Sequence, residues 1–149
     1  MKRLIIFGFA MLATALLCGC ASKPHALDYF LRGLGNEMEG NYEQAIADYT
    51  KSIRLDPQLY PSYWGRADAY SKMGEYDKAI ADYTQAIAMN NDSKYHFGRG
   101  KAYYLRGDRE MAIADFDVAI RGDENSARSI RHFLEEVQSD LISRYPVFD

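Results

Sequence analysis

Cysteine is scarce in this sequence, and the two cysteines present stand close together near its start. The 149 residues contain 2 cysteines, Cys18 and Cys20, and no thiol follows Cys20. A disulfide framework is therefore excluded. A metal site also has few candidate ligands, because the 3 histidines, His25, His96 and His132, stand in unrelated sequence contexts. We predict that the chain binds no metal and no cofactor.

Catalytic signatures and an excess of basic charge are also lacking. The sequence has no His-Glu-x-x-His, no Gly-x-x-x-x-Gly-Lys and no Gly-x-Ser-x-Gly, and Gly98-Arg99-Gly100 lacks the third glycine of a dinucleotide-binding loop. The formal net charge is -3, whereas nonspecific binding of nucleic acid requires a basic surface. These absences argue against an enzyme and against a nucleic-acid-binding protein.

Long apolar runs are lacking outside the first part of the chain. Lys2 and Arg3 precede an apolar run from Leu4 to Leu17. A membrane-spanning helix needs about 20 such residues, whereas a charged start, a shorter apolar run and small residues are typical of an export signal. We therefore predict a signal peptide over residues 1–19, with a retained transmembrane anchor as the alternative.

The end of this segment, Leu17-Cys18-Gly19-Cys20, resembles the bacterial lipobox, in which a small residue precedes a lipidated cysteine. The resemblance implies a lipoprotein whose acylated first residue is Cys20 and whose short tether is residues 20–25. Because Ala21 and not Asp follows the cysteine, it also implies the outer membrane. The expected location is the bacterial cell envelope, on the face of the outer membrane toward the periplasm.

The remaining sequence is dominated by one pattern that occurs three times at a spacing of about 33 to 34 residues. The aligned sets are Arg32, Arg66 and Arg99; Gly40, Gly74 and Gly107; Ala45, Ala79 and Ala112; and Asp48, Asp82 and Asp115. In each copy an amphipathic helical stripe precedes the glycine and another follows it, so each copy is predicted to be a helical hairpin that turns at the glycine. One hairpin cannot bury both of its faces, so the copies are expected to stack.

The spacing and the small, aromatic and glycine positions resemble the tetratricopeptide repeat over residues 26–126. The resemblance implies an all-α fold, a right-handed α-solenoid of three helix-turn-helix repeats at about 26–59, 60–92 and 93–126. Residues 127–149 are predicted to form a capping helix and a tail. The capping helix is indicated by a narrow apolar stripe at helical spacing, formed by Ile130, Phe133, Leu134, Val137 and Leu141.

The repeated arginines and aspartates stand at matched distances from the turns. Arg66 is eight residues before Gly74 and Asp82 is eight after it, so the two lie at the same height in an antiparallel hairpin. Such pairs form either within a hairpin or with the next one. We interpret them as structural because the spacing is the same in every repeat.

The resemblance also implies a binding surface, because in the repeat family one stripe of the first helices lines a concave groove that holds an extended peptide or a helix. The positions of this sequence that match it are Phe30, Leu34, Trp64, Asp68, Phe97, Lys101 and Tyr104, hereafter the concave row. The alternative is that its aromatic members pack between repeats, since aromatic side chains dominate both cores and interfaces.

The function predicted from these features is that of a lipid-anchored adaptor that holds a protein partner near the envelope membrane. One alternative is a structural subunit of an envelope complex. Another is an enzyme or a glycan-binding module, which the missing catalytic residues argue against.

Overall fold

The computed structural model describes the backbone of residues 25–144 and the side chains of that range apart from 124 and 137–144. Residues 1–24 and 145–149, and with them Cys20 and the tail, lie outside the described residues. The seven helices of the described part are α1 (Ala26–Met38), α2 (Tyr42–Leu55), α3 (Tyr60–Lys72), α4 (Tyr76–Met89), α5 (Ser93–Arg106), α6 (Arg109–Gly122) and α7 (Glu124–Arg144).

Each of the first three helix pairs reverses at a glycine, as the repeat pattern predicts. Gly40, Gly74 and Gly107 have φ angles of 79°, 75° and 105°, a left-handed conformation that costs other residues energy. At the middle turn the amide of Glu75 donates to the carbonyl of Tyr70 over 2.9 Å. This bond satisfies one of the carbonyls left free at the end of α3.

The hairpins stack through large aromatic side chains that lie against glycines. Tyr49 of α2 is fully buried and lies against Gly33 of its own hairpin and Gly65 of the next. A Cβ atom added to Gly65 would lie 2.5 Å from Cζ of Tyr49, and one added to Gly98 would lie 2.5 Å from Cε1 of Tyr83. The absence of a side chain at these two positions therefore sets how closely neighbouring hairpins approach.

The repeated arginines and aspartates pair within each hairpin. Nε of Arg66 donates to Asp82 over 2.6 Å, and Nε of Arg99 donates to Asp115 over 2.7 Å. Each of these arginines also donates from Nη1 to a threonine of the preceding hairpin over 3.0 Å, Arg66 to Thr50 and Arg99 to Thr84. The structural interpretation is confirmed, since each guanidinium joins the two helices of its hairpin to the hairpin before it.

Within residues 25–144 no hairpin precedes the first one, and its polar contacts differ accordingly. Arg32 donates to Asp48, and so does Nδ2 of Asn36 over 2.9 Å. Asn36 stands where the later repeats have Tyr70 and Tyr103. The Arg32 guanidinium holds the pKa of the Asp48 carboxyl below its ordinary value, despite the burial of that carboxyl.

The last helix, α7, begins at Glu124, three residues before the predicted position, because Asp123 starts it by accepting from the amide of Asn125 over 3.1 Å. Ile130 is buried against Ala112, Phe116 and Ala119 of α6. The predicted fold class is confirmed: an all-α stack of three helical hairpins followed by a C-terminal helix that covers the third.

Candidate functional site

The concave side of the stack is the side of the first helices. α1 contacts α3, α3 contacts α5, and α5 contacts α7, whereas among the described residues no contact joins α2 to α4 or α4 to α6. The first helices are therefore close together and the second helices are splayed apart. The stack curves around the exposed face of α1, α3 and α5, where the residues of the concave row lie.

The three aromatic residues that lead this row are each half-buried, and each packs on a ring of another helix. The ring centroids are 5.9 Å apart for Phe30 and Tyr49, 6.0 Å for Trp64 and Tyr95, and 6.2 Å for Phe97 and Phe116. Part of each ring therefore contributes to the packing of the repeats and the rest is open to solvent. The two alternatives drawn from the sequence are thus both present in one arrangement.

Asp68 lies in the middle of the row and is half-buried. It accepts a hydrogen bond from the hydroxyl of Tyr83. Burial raises the pKa of the Asp68 carboxyl, and the Tyr83 hydroxyl with the charges of Lys101 and Lys72 offsets only part of that rise. A positive charge placed beside this half-buried carboxylate would stabilise its ionised form.

Glu37 is a second carboxylate of the same kind, which the sequence analysis missed. It accepts a hydrogen bond from the hydroxyl of Tyr49 over 2.7 Å. Burial raises the pKa of Glu37, and the negative charge of Asp68 raises it further. The repeat spacing could have indicated this residue. Glu37 aligns with Ser71 and Tyr104 at intervals of 34 and 33 residues, and Tyr104 is a member of the concave row.

The end of the row at the third repeat lies beside α7. The ammonium of Lys101 is 4.9 Å from the centre of the Phe97 ring, and the ring of Tyr104 is 5.6 Å from that of Phe133. An open cleft of about 420 Å³ lies between parts of α5 and α7 and is lined by Phe97, Lys101, Arg128, Ser129, His132, Phe133 and Glu136. The structure therefore brings Phe97, Lys101 and Tyr104 against a helix that the predicted row did not include.

Leu34 differs from the rest of the row. It is 37% exposed, and it belongs to α1, the first helix of the described residues. Its repeat equivalents are the charged residues Asp68 and Lys101, so the row is apolar at this position only in the first repeat.

Of the histidines in the described residues, His25 and His132 are exposed and His96 is held in the core by hydrogen bonds. His96 is buried, with Nδ1 3.0 Å from Asp115 and Nε2 2.7 Å from Asn91. Its position supports the third Arg–Asp pair. Within residues 25–144, no three His, Cys, Asp or Glu side chains come together as metal ligands, and no helix of this range is long and apolar enough to cross a membrane.

Two family models match the chain. One described as "Tetratricopeptide repeat" matches residues 65–127, and one described as "TPR repeat" matches residues 39–74. No curated relative matches the sequence.

Solved structures with the same architecture include the second TPR of Spaghetti (RPAP3) bound to the HSP90 peptide SRMEEVD. That chain is 35% identical, the alignment covers 66% of this chain and 93% of the other, and the TM-score is 0.65. The second TPR domain of human RPAP3, in complex with the HSP70 peptide SGPTIEEVD, is 32% identical, with 72% and 92% covered and a TM-score of 0.66.

A crystal structure of MamA is 28% identical, with 70% of this chain and 57% of the other covered and a TM-score of 0.64. The Arabidopsis OM64 TPR domain, at 22% identity and a TM-score of 0.69, shares the fold. Together with the three hairpins and their glycine turns, these matches show that the chain belongs to the tetratricopeptide repeat family, a fold that serves as a scaffold for protein interaction.

Proposed function

We propose that this protein is a lipid-anchored adaptor of the bacterial cell envelope that binds a segment of a protein partner along its concave row. The observation that carries the proposal is the line of three half-buried aromatic rings, Phe30, Trp64 and Phe97, on the concave side of the stack. Aromatic side chains held rigid by packing provide large contact areas at low cost in entropy, and they are frequent anchors of protein interfaces.

Two half-buried carboxylates, Asp68 of the row and Glu37 of α1, favour a partner segment that carries both apolar and basic side chains. Burial raises the pKa of both carboxyls, and the negative charge of Asp68 raises the pKa of Glu37 further. A basic side chain of the partner would relieve this cost, whereas an acidic one would increase it. The peptides SRMEEVD and SGPTIEEVD of the RPAP3 complexes end in acidic residues, so we propose a different class of segment for this chain.

The anchor is proposed from the sequence around Cys20. The resemblance of Leu17-Cys18-Gly19-Cys20 to a lipobox supports acylation of Cys20. More than one acyl chain on that residue would hold the protein stably at a membrane without a spanning helix. Ala21 supports the outer membrane, with the solenoid in the periplasm.

Crosslinking in cells tests the binding surface. A photoreactive residue in place of Lys101 is expected to capture a distinct protein, because this position lies in the row beside Phe97. The matched control is the same residue in place of Gln85, which is exposed on α4. Asp68→Asn is expected to lower the yield from position 101, since it removes a countercharge for a basic side chain. Equal capture from both positions, unaffected by Asp68→Asn, would contradict the proposal.

Labelling with a fatty acid tests the anchor separately. Cys20→Ala should abolish incorporation of the label, whereas Cys18→Ala should retain it. Equal incorporation into Cys20→Ala and the unaltered chain would refute the anchor and leave the proposed binding surface standing.

The alternative of a structural subunit differs from an adaptor in the stoichiometry of its partner. A subunit is expected to keep an equimolar partner through extraction with detergent and purification. An adaptor that holds a short segment is expected to release its partner on dilution.

A further inference from the structure

α1 carries an exposed apolar stripe formed by Leu27, Leu31, Leu34 and Met38. These residues stand at i, i+4, i+7 and i+11 and therefore lie on one face of the helix. Their exposed fractions are 53%, 54%, 37% and 83%. Isolated apolar side chains on a surface are ordinary, whereas these four form one stripe, which is a candidate contact surface.

A preceding repeat of the same build does not fit this stripe. By repeat spacing Leu31 aligns with Gly65 and Gly98, which lie directly against the tyrosines of the preceding hairpins. A single Cβ atom at Gly65 would already come within 2.5 Å of the Tyr49 ring. The whole side chain of Leu31 therefore excludes a second helix packed as α2 packs on α3.

A second copy of the chain is disfavoured by area. α1 has 13 residues and is therefore about 20 Å long at 1.5 Å per residue. With a stripe about 10 Å wide, two copies would bury about 400 Å² in total, against roughly 1,200 Å² or more for stable specific interfaces. This stripe alone is too small to hold a dimer.

A lipid surface needs neither a helix packed closely on Leu31 nor a large interface area. The short segment between Cys20 and α1 also keeps such a surface within reach. Residues 21–25 separate Cys20 from α1, and at about 3.5 Å per residue such a segment spans at most about 20 Å. An acylated Cys20 would keep α1 next to the bilayer at a high effective concentration, so a small apolar contact suffices. Without residues 1–19, which include Lys2 and Arg3, 16 basic and 21 acidic residues give a formal net charge of -5, which argues for an apolar contact and against an attraction to anionic lipids.

We propose that the apolar stripe of α1 rests on the lipid surface to which Cys20 is anchored. This inference rests on the proposed acylation of Cys20. It orients the solenoid with its first hairpin at the membrane and α7 farthest from it, because each hairpin contacts only its neighbours. The part of the concave row on α3 and α5, from Trp64 to Tyr104, then runs away from the bilayer, where a partner can reach it.

Tryptophan emission tests the contact. Trp64, the only tryptophan, is replaced by phenylalanine, and a new tryptophan is placed by Leu31→Trp or, as the matched control, by Gln85→Trp. Both positions are exposed, so neither change should disturb packing. The full chain, extracted from cell membranes, is reconstituted into vesicles of phosphatidylcholine and phosphatidylglycerol with or without brominated lipid.

The proposal requires a blue shift and quenching by brominated lipid at position 31, retained in high salt, and neither effect at position 85. If the tryptophan at position 31 of vesicle-bound protein emits at the wavelength of tryptophan in water, the proposal is overturned. A blue shift that grows with protein concentration and is not quenched by the lipid would also overturn it, because a second copy would then cover the stripe.

The mass of the purified protein detects a failure of the proposed anchor independently, because a protein without the anchor has the mass of a chain without acyl groups. The contact is still measurable in that case by coupling the thiol of Cys20, in a Cys18→Ser background, to vesicles that contain a maleimide lipid. The same emission criteria then support or overturn the contact of α1 with lipid.

Discussion

At the scale of single residues, buried tyrosine rings of this protein lie directly against glycines of the neighbouring helices. Gly65 and Gly35 both lie in first helices, yet their surroundings are opposite. A Cβ atom on Gly65 would lie 2.5 Å from the Tyr49 ring, whereas nothing lies within 4 Å of one on Gly35. The same substitution should therefore have opposite effects at the two positions.

We predict that Gly65→Ala lowers the free energy of unfolding by about 1–3 kcal/mol, because the buried ring of Tyr49 has to move. Gly35→Ala should raise it by about 0.5–1 kcal/mol, since alanine favours a helix interior where space is available. Denaturation by urea, followed through the emission of Trp64, measures both. Equal effects of the two substitutions would show that the Tyr49 contact does not limit the approach of the hairpins.

A second prediction at this scale concerns the charge of Asp68, whose pKa is raised by burial. A carboxyl with a pKa higher in the folded than in the unfolded state destabilises the fold when ionised, and this cost disappears as the pH falls below its ordinary pKa. Asp68→Asn still accepts from Tyr83 and carries no charge. It should raise the free energy of unfolding at pH 7 by about 0.5–1 kcal/mol and give no advantage in acid.

Urea titrations of both proteins at pH 7 and in acid measure this difference. A variant that is less stable than the unaltered chain at pH 7 would show that the charge of Asp68 is compensated in the fold. Together with a lower crosslinking yield, the predicted gain in stability would indicate that Asp68 is retained for binding at the expense of stability.

At the scale of the helical elements, α7 takes the place that a fourth repeat would occupy. The side chain of Ile130 is buried against α6. The ring centre of Phe133 lies 6.3 Å from that of Phe116 and 5.6 Å from that of Tyr104. The helix thus covers the apolar face of the third hairpin and closes one end of the concave row. Terminal elements of repeat proteins commonly cap the last apolar face in this way and present a polar surface to solvent.

Ile130→Ala should lower the free energy of unfolding by about 2–4 kcal/mol, because it leaves a cavity between α6 and α7. Arg131→Ala, at the exposed neighbouring position, serves as the control and should change stability by no more than about 0.5 kcal/mol. Thermal melting compares the two. A similar melting temperature for both variants would mean that α7 does not contribute to the stability of the stack.

At the scale of the whole molecule, contacts are made only between neighbouring parts of the stack. Among the described residues no contact joins α1 or α2 to α5 or α6. Stability should then be approximately a sum of hairpin and interface terms. The interface at Gly65 and that at Gly98 use different tyrosines, Tyr49 and Tyr83.

The double variant Gly65→Ala/Gly98→Ala should therefore lose the sum of the two single losses within about 0.5 kcal/mol. A double-mutant cycle from urea denaturation provides the measurement. A coupling energy above about 1 kcal/mol would indicate that the second hairpin transmits strain from one interface to the other.

The sequence by itself determined the number of hairpins, the position of each turn and the matched heights of the repeated arginines and aspartates, whereas the structure decided that they pair within each hairpin. The first three features follow from local causes: apolar residues at helical spacing define the helices, and a glycine permits the left-handed turn of residues such as Gly74. Repetition at 33 to 34 residues then required stacking, because one hairpin leaves a face uncovered.

Only the tertiary structure decided which part of each side chain remains open. The half-burial of Trp64, the raised pKa of Glu37 and the cleft beside Lys101 depend on the angle and distance at which helices far apart in sequence meet. Those are set by the fit of Tyr49 and Tyr83 against glycines and by the position of α7. No local pattern contains that information, because burial is a property of neighbours that the chain brings together only when it folds.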